Sequence, residues 1–153
     1  MRKLLPLVAA LTATLAFAAA QPYDEAADAK ADLKQALKAS KADQQPVLVI
    51  FGANWCKDCR ALDAALQTGR NAELVKREFR VVKVDVGNFD KNLDVAEAYG
   101  NPIKKGIPAA VVLSPDNKVL YATRLGELAD ARSMSETGIY DFFKKVTETA
   151  RKR

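Results

Sequence analysis

Two runs of β-branched and other apolar residues, at positions 47–51 and 81–86, set the strongest limit on how this chain can fold. The first run ends at Gly52, and an apolar run of this length is typical of a strand that is buried on both faces. Between the two runs, residues 56–66 and 71–79 carry helical patterning. This order of strand, helices and strand predicts that the two strands lie parallel in one sheet.

A second pair of strand-like runs follows at residues 109–113 and 118–123. The sequence between them, Ser-Pro-Asp-Asn at residues 114–117, has the composition of a tight turn with proline in second place. The two runs therefore predict an antiparallel hairpin. Together with the parallel pair, they predict an α/β fold with a mixed central sheet flanked by helices.

Three further segments have helical patterns. Residues 24–40 carry apolar side chains on one face, a shorter segment ends at Gly100, and residues 139–150 repeat apolar side chains at helical spacing. Ser133 and Glu136 have the spacing of a capping box, which predicts that the last helix begins at Ser133. We expect this helix to pack on the sheet.

The N-terminus has the pattern of an export signal. Arg2 and Lys3 precede an uncharged run that ends in three alanines, and small residues in that place are typical of a cleavage site. We therefore predict a signal peptide at residues 1–20, cleaved after Ala20, and one domain at residues 21–153. An uncleaved anchor is the alternative, and it would tether the same domain outside the cytoplasm. We expect a periplasmic protein, with secretion as the alternative.

The charge pattern does not indicate a nucleic-acid partner. The sequence has 24 basic and 19 acidic residues, but residues 2–3 leave with the predicted signal, and three more cations lie at residues 151–153. Elsewhere, lysines alternate with acidic residues along the helical segments, which is typical of a solvated surface. We expect a monomer that does not bind nucleic acid.

Cys56 and Cys59 are the only two cysteines in the sequence. A bridge across so short a loop removes little entropy from the unfolded chain, so reactivity explains the pair better than stabilisation does. Two thiolates can also hold a soft ion such as Cu(I), whereas structural zinc needs four ligands and this sequence has no histidine. Copper binding stays open as an alternative, and so does a non-catalytic adaptor with a permanent bridge.

The position of Cys56 favours redox chemistry. It follows the first buried strand and stands where residues 56–66 are predicted to begin a helix. Unpaired N–H groups at a helix N-terminus stabilise a thiolate and lower a cysteine pKa from ~8.5 toward ~3.5 to 7.5. Cys56 is therefore the predicted nucleophile. Residues three apart on a helix have neighbouring β-carbons, so Cys59 can close onto Cys56.

The motif Trp-Cys-Lys-Asp-Cys at residues 55–59, followed downstream by Gly-Ile-Pro at residues 106–108, resembles the thioredoxin superfamily. The resemblance covers nearly the whole predicted mature chain. It is similar above all to exported thioredoxin-like proteins and to the thioredoxin-like C-terminal domain of the interchange protein DsbD. The resemblance implies that Cys56 attacks a substrate disulfide and that Cys59 resolves the mixed disulfide.

The same resemblance implies a substrate-binding surface. In the superfamily, a cis-proline before the later strand faces the active site and orients the substrate. This role falls on Pro108, with Ile107 before it, and Trp55 is the aromatic residue that flanks the cysteines. We therefore expect a cis bond between Ile107 and Pro108, within contact distance of the Cys56 sulfur.

One position departs from the superfamily pattern. Thioredoxin has a buried aspartate six residues before the attacking cysteine, and this chain has Ile50 there. A proton acceptor for the exchange must then come from elsewhere or be water. Asp63 follows Cys56 by seven residues and lies on nearly the same helix face, so it is the candidate for proton transfer at Cys59. An ordinary solvated aspartate is the alternative.

The dipeptide between the cysteines bears on the direction of exchange. Lys57 favours a thiolate and Asp58 opposes it, and the pair differs from the proline and histidine of strongly oxidising members. This favours a reductase or exchange role on disulfides of exported proteins. No bound cofactor is required, and the superfamily resemblance implies a dithiol electron donor that can be membrane-bound.

Overall fold

The computed structural model describes residues 21–153, so the predicted signal peptide lies outside the described residues. The strands of the described chain are β1, Val47–Gly52; β2, Arg80–Asp85; β3, Ala109–Leu113; and β4, Val119–Ala122. They form one sheet in the order β2-β1-β3-β4. β1 pairs in parallel with β2 and antiparallel with β3, and β3 pairs antiparallel with β4. The predicted mixed sheet, with its parallel pair and its hairpin, is confirmed.

Helices flank the sheet on both faces. The α-helices of the described chain are α1, Ala29–Asp43; α2, Lys57–Leu66; α3, Gly69–Glu78; α4, Leu93–Ala98; and α5, Glu136–Arg151. Two short 3-10 turns, Pro102–Lys105 and Ala131–Ser133, lie before β3 and α5. Within residues 21–153, no helix is both long enough and apolar enough to cross a membrane.

The first helix begins later than its amphipathic pattern predicts. Asp28 caps α1, because its carboxylate accepts hydrogen bonds from the backbone N–H groups of Lys30 and Ala31 at 3.1 and 3.0 Å. Residues 24–28 are therefore not helical, although the predicted segment was 24–40. The chain before Asp28 instead runs past the loop between β1 and α2, where Tyr23 bonds Asn54.

The predicted cap of the last helix is wrong. Ser133 ends the second 3-10 turn, and Ser135 is the residue that caps α5. The Ser135 hydroxyl accepts a hydrogen bond from the backbone N–H of Gly138 at 3.0 Å. Since both serines precede an acidic residue and an apolar run, local sequence could not decide between them. The 3-10 turn places Ser133 outside the helix.

β1 is the central strand, and all six of its residues are buried. Val47, Val49 and Phe51 belong to a core that includes residues of α1 and α4, whereas Leu48 and Ile50 belong to a second core built with α2, α3 and α5. Because β1 is covered on both faces and paired along both edges, it holds the loop at its carboxyl end in a fixed position. That loop leads directly to the cysteines.

Candidate active site

Cys56 and Cys59 form a disulfide at the N-terminus of α2, with their Cα atoms 5.2 Å apart. Cys56 is the N-cap residue, and its sulfur accepts a hydrogen bond from the backbone N–H of Cys59 at 3.1 Å. Cys56 is 5% exposed and Cys59 is fully buried. The predicted position of the pair at a helix N-terminus is confirmed. When the disulfide opens, the same N–H group stabilises a thiolate on Cys56.

The segment before β3 brings a second backbone element to the disulfide. The Ile107–Pro108 peptide bond is cis, as predicted, and the Ile107 carbonyl oxygen lies 3.7 Å from the Cys56 sulfur. Both residues are buried. The 3-10 turn Pro102–Lys105 and strand β3 hold this segment from either side, so a backbone acceptor lies next to the Cys56 sulfur.

Trp55 and Phe89 together form an exposed aromatic surface beside the cysteines. Their exposed fractions are 54% and 43%. The Trp55 indole N–H donates to the carbonyl oxygen of Gly87 at 2.8 Å, and the two rings meet edge to face with centroids 6.2 Å apart. Sequence reasoning singled out Trp55 but missed Phe89. The Phe89 backbone has a φ of 62°, which is uncommon for a bulky residue and which no sequence pattern signals.

A surface cavity of about 440 Å³ borders the Cys56 sulfur. Its walls include Trp55, Phe89, Ile107 and Arg132. Aromatic and aliphatic side chains therefore surround the more exposed sulfur, and a guanidinium group adds a positive charge. The cavity can receive a side chain or a short stretch of extended peptide next to Cys56.

Asp58, between the cysteines, contacts a distant part of the chain. Its carboxylate accepts a hydrogen bond from the backbone N–H of Arg132 at 3.0 Å, and the Arg132 Nε lies 3.5 Å from the same oxygen. This contact joins the first turn of α2 to the 3-10 turn Ala131–Ser133. Arg132 therefore offsets the negative charge of Asp58. The cysteines thus have a second cation near them besides Lys57.

Asp63 is held by two polar partners. Its carboxylate pairs with the ammonium group of Lys83 and accepts a hydrogen bond from the Gln67 side chain at 2.5 Å. The Asp63 side chain is only 14% exposed. Lys83 lies directly opposite Ile50 in the parallel pairing of β1 and β2. Asp63 thus contacts the residue opposite position 50, although these contacts do not test its part in proton transfer.

Tyr23 is a buried residue of the site that sequence reasoning missed. Its side chain is 3% exposed, and its hydroxyl fills the space that a side chain at Gly52 would occupy. The Cys59 sulfur lies 3.0 Å from the same position. The hydroxyl and the sulfur are therefore neighbours, and any larger residue at position 52 would displace Tyr23.

The backbone of Tyr23 is fixed by one side chain. The Tyr23 N–H donates to Asn54 Oδ1 at 3.0 Å, and Asn54 Nδ2 donates to the Tyr23 carbonyl oxygen at 2.8 Å. Burial raises the pKa of the Tyr23 hydroxyl, and the carboxylates of Asp63 and Asp85 raise that pKa further. The hydroxyl consequently keeps its proton at neutral pH.

Comparisons with known proteins agree with this geometry. The thioredoxin-like family matches the chain over residues 28–115. Thioredoxin from Buchnera aphidicola subsp. Schizaphis graminum (strain Sg) is 31% identical over 83 residues, which cover 54% of this chain and 68% of that protein. The crystal structure of a disulphide isomerase from Xylella fastidiosa Temecula1 is 57% identical, covers 85% of this chain and 99% of that chain, and has a TM-score of 0.83.

A more distant structure supports the fold alone. The oxidised C-terminal domain of DsbD from Neisseria meningitidis is 21% identical, covers 75% of this chain and 94% of that chain, and has a TM-score of 0.50. The family match, the Buchnera thioredoxin and the disulfide at the N-terminus of α2 point to one conclusion. The chain belongs to the thioredoxin-like family, and it is a protein disulfide oxidoreductase whose redox pair is Cys56 and Cys59.

Proposed function

We propose that the protein reduces or exchanges disulfides of exported proteins through a mixed disulfide on Cys56 that Cys59 resolves. The observation that carries this proposal is the setting of the Cys56 sulfur. It caps α2, accepts the Cys59 N–H at 3.1 Å and borders the cavity of about 440 Å³. A thiolate in this place is both stabilised by the helix and accessible to a substrate sulfur.

The exchange takes two steps that conserve electrons and protons. The Cys56 thiolate attacks one sulfur of the substrate disulfide, a Cys56–substrate bond forms, and the other substrate sulfur leaves and takes up a proton. The Cys59 thiolate then attacks the Cys56 sulfur, restores the intramolecular disulfide and releases the second substrate thiol. Two electrons have passed to the substrate, and a dithiol donor must return them.

The substrate side of the site is assigned to Trp55, Ile107 and Pro108. A peptide chain that brings its disulfide to Cys56 would meet the Ile107 carbonyl, which lies 3.7 Å from that sulfur, as a hydrogen-bond acceptor. Pro108 has no backbone N–H group, so at this residue the segment offers a substrate no hydrogen-bond donor. The aromatic surface of Trp55 and Phe89 would cover an apolar residue next to the substrate cysteine.

The name of the Xylella relative favours reduction and exchange over net oxidation. The Xylella relative, 57% identical over 99% of its own length, is named a disulphide isomerase. Isomerisation and reduction both start from reduced Cys56. Electrons would then come from a dithiol partner, which we propose is membrane-bound.

Reduction of insulin disulfides by purified residues 21–153, with dithiothreitol as electron source, tests the function directly. Wild type should accelerate insulin reduction above the rate with dithiothreitol alone, whereas Cys56→Ser should not. Refolding of a scrambled disulfide protein would separate isomerisation from simple reduction. If wild type had no effect in either assay, a Cu(I) titration of the reduced protein would decide between the copper-binding and adaptor alternatives.

Asp63 is proposed to assist proton transfer at Cys59, which lies one turn before it on α2. Asp63→Asn keeps the shape of the side chain but removes a proton acceptor and leaves Lys83 without its ion-pair partner. We expect turnover to slow by up to about tenfold, and we expect the pH dependence of turnover to change. Asp94→Asn is the matched control, because it breaks the exposed Lys30–Asp94 pair far from the cysteines. An unchanged pH profile would contradict a role in proton transfer, and Asp63 would then serve only in the ion pair with Lys83.

Export is proposed from the N-terminal sequence. Mature protein isolated from the periplasm of its own host should begin at or close to Gln21, because the three alanines before it satisfy a signal peptidase. N-terminal sequencing or intact-mass measurement decides the point. Soluble cytoplasmic protein that retains Met1 would contradict both the export and the assignment of exported substrates.

A further inference from the structure

We propose that the Tyr23 hydroxyl donates a hydrogen bond to the Cys59 sulfur once the disulfide opens, and that it thereby stabilises the Cys59 thiolate that resolves the mixed disulfide. The inference rests on the dithiol exchange proposed above and deepens it. It assigns a positioning role to a residue that lies outside the sequence motif of the site.

The path of the chain before α1 brings Tyr23 to the site. Asn54, two residues before Cys56, pairs with both backbone polar groups of Tyr23 at 3.0 and 2.8 Å. The Asn54 amide also donates to Glu25 at 3.0 Å. The segment around Tyr23 is therefore attached to the same loop that carries the cysteines, and it keeps its place relative to them.

The absence of a side chain at position 52 lets the hydroxyl approach the sulfur. A β-carbon on Gly52 would overlap with the oxygen and ring of Tyr23, and it would lie 3.0 Å from the Cys59 sulfur. The oxygen and the sulfur thus share one small space at the end of β1. Because Tyr23 is 3% exposed and Cys59 fully buried, bulk water has little access to this space.

Cys59 needs a donor more than Cys56 does. The helix N-terminus serves Cys56, and even the backbone N–H of Cys59 is directed at the Cys56 sulfur, at 3.1 Å. Full burial disfavours the charged form of the Cys59 thiol. A neutral hydroxyl beside the sulfur offsets part of this cost, because a hydrogen bond to the charged form favours it.

Charged groups lie on several elements near Tyr23 and Cys59 in the fold, and two of the carboxylates add to the need for a donor. The charged groups are Asp63 and Asp58 on α2, Lys83 and Asp85 on β2, Lys91 after β2, Glu25 before α1, and Arg132 in the 3-10 turn. Of these, Asp63 and Asp85 have carboxylates close enough to raise the pKa of Tyr23. The same negative charges oppose a thiolate on Cys59. They also keep the hydroxyl protonated, so that it can donate.

The resolving step conserves protons and electron pairs. The Cys59 thiol gives up its proton to the Asp63 carboxylate proposed above or to water, and the thiolate, which accepts a hydrogen bond from the Tyr23 hydroxyl, attacks the Cys56 sulfur. The Cys59–Cys56 bond forms as the Cys56–substrate bond breaks, and the substrate sulfur leaves with the electron pair and takes up a proton. Tyr23 keeps its own proton throughout. Its hydrogen bond is relinquished as the negative charge leaves Cys59.

The thiol pKa of Cys59 tests the proposal without any substrate. In Cys56→Ser protein, Cys59 is the only thiol, and its ionisation is followed by ultraviolet thiolate absorbance across pH. Adding Tyr23→Phe removes one oxygen and keeps the ring. We expect the Cys59 pKa to rise by about one unit, since a hydrogen bond to a charged group contributes roughly that much. Tyr99→Phe, which loses a 2.9 Å hydrogen bond to Asn117 at a remote surface, should leave this pKa unchanged.

The resolving rate gives a second measure. A thiol pKa raised by about one unit lowers the thiolate fraction about tenfold at neutral pH but makes each thiolate more nucleophilic, so resolution should slow by about threefold. This is followed in Tyr23→Phe protein with both cysteines present, from release of a preformed Cys56 adduct. Asn54→Ala, which releases the backbone of Tyr23, should change the Cys59 pKa in the same direction.

Three results would overturn the proposal. They are an unchanged or lowered Cys59 pKa in the Tyr23→Phe protein, an equal rise in the Tyr99→Phe protein, or a rise that accompanies loss of the folded state by circular dichroism and is absent from Asn54→Ala. Failure of the proposed function is a separate outcome. It would appear as wild-type protein that does not reduce insulin, whatever the thiol pKa.

Discussion

Replacing Cys59 with serine is expected to convert the protein from a catalyst into a trap for its partners. Mixed disulfides between Cys56 and a substrate should form as in wild type. The donor to the Cys56 sulfur is the backbone N–H of residue 59, at 3.1 Å, and serine keeps that group. Release, however, depends on a neighbouring thiolate. Well-oriented intramolecular groups reach effective molarities of about 10⁵ M, which millimolar external thiols cannot replace, so turnover should fall by several orders of magnitude.

The adducts themselves are the measurement. Cys59→Ser protein, expressed with its N-terminal segment in its own host, should give high-molecular-weight species on a non-reducing gel that disappear with reductant. Cys56→Ser is the matched control and should capture nothing, because the remaining Cys59 is fully buried. Mass spectrometry of the adducts would identify both the substrates and the electron donor. Equal capture by the two variants would mean that Cys59 can attack, and it would reverse the assigned roles.

Local sequence predicts several of the elements that position the two cysteines. The apolar run that becomes β1, the helix that begins directly after Cys56, and the hairpin of β3 and β4 are all encoded by short-range periodicity and turn residues. The cis bond before Pro108 was expected from the superfamily resemblance rather than from spacing, and it is present. The sequence and the superfamily resemblance together therefore predicted that the Ile107–Pro108 bond lies next to Cys56.

The residues that sequence reasoning missed reach the site through long-range contacts. Tyr23 precedes α1 in a segment without periodicity, and the side chain of Asn54, 31 positions later, bonds its backbone. Phe89 lies in the loop after β2 with a φ of 62°. Neighbouring residues predict neither the hydrogen bonds from Asn54 to Tyr23 nor the left-handed backbone of Phe89. Both were therefore found only in the folded structure.

The surroundings of position 50 also depend on long-range contacts. Ile50 packs in the core with α2, α3 and α5, and the residue opposite it on β2 is Lys83. The sequence alone indicated that a carboxylate was missing and named Asp63 as a candidate. The ion pair between Asp63 and Lys83 joins two elements 20 positions apart in the chain, and its formation depends on the register between β1 and β2.

Removing the aromatic surface beside Cys56 should lower activity on protein substrates but not on small disulfides. Trp55 and Phe89 are exposed by 54% and 43% while their rings contact each other, and large exposed aromatic residues commonly dominate binding energy. Losing about 2 kcal/mol of substrate binding corresponds to a fall of about 30-fold in kcat/KM. We expect this fall for Trp55→Ala with insulin, and a smaller fall for Phe89→Ala.

A small disulfide separates binding from thiol chemistry in these variants. Glutathione disulfide is too short to cover both rings, so its rate of reaction with Cys56 should be nearly unchanged in Trp55→Ala and Phe89→Ala. Val119→Ala is the matched control, because Val119 is a similarly exposed apolar residue on β4 that does not line the cavity. Equal losses with insulin and with glutathione disulfide would contradict a substrate-binding role. They would instead mean that the aromatic residues act on the reactivity of Cys56, for example through the 2.8 Å hydrogen bond from Trp55 to Gly87 that fixes the neighbouring loop.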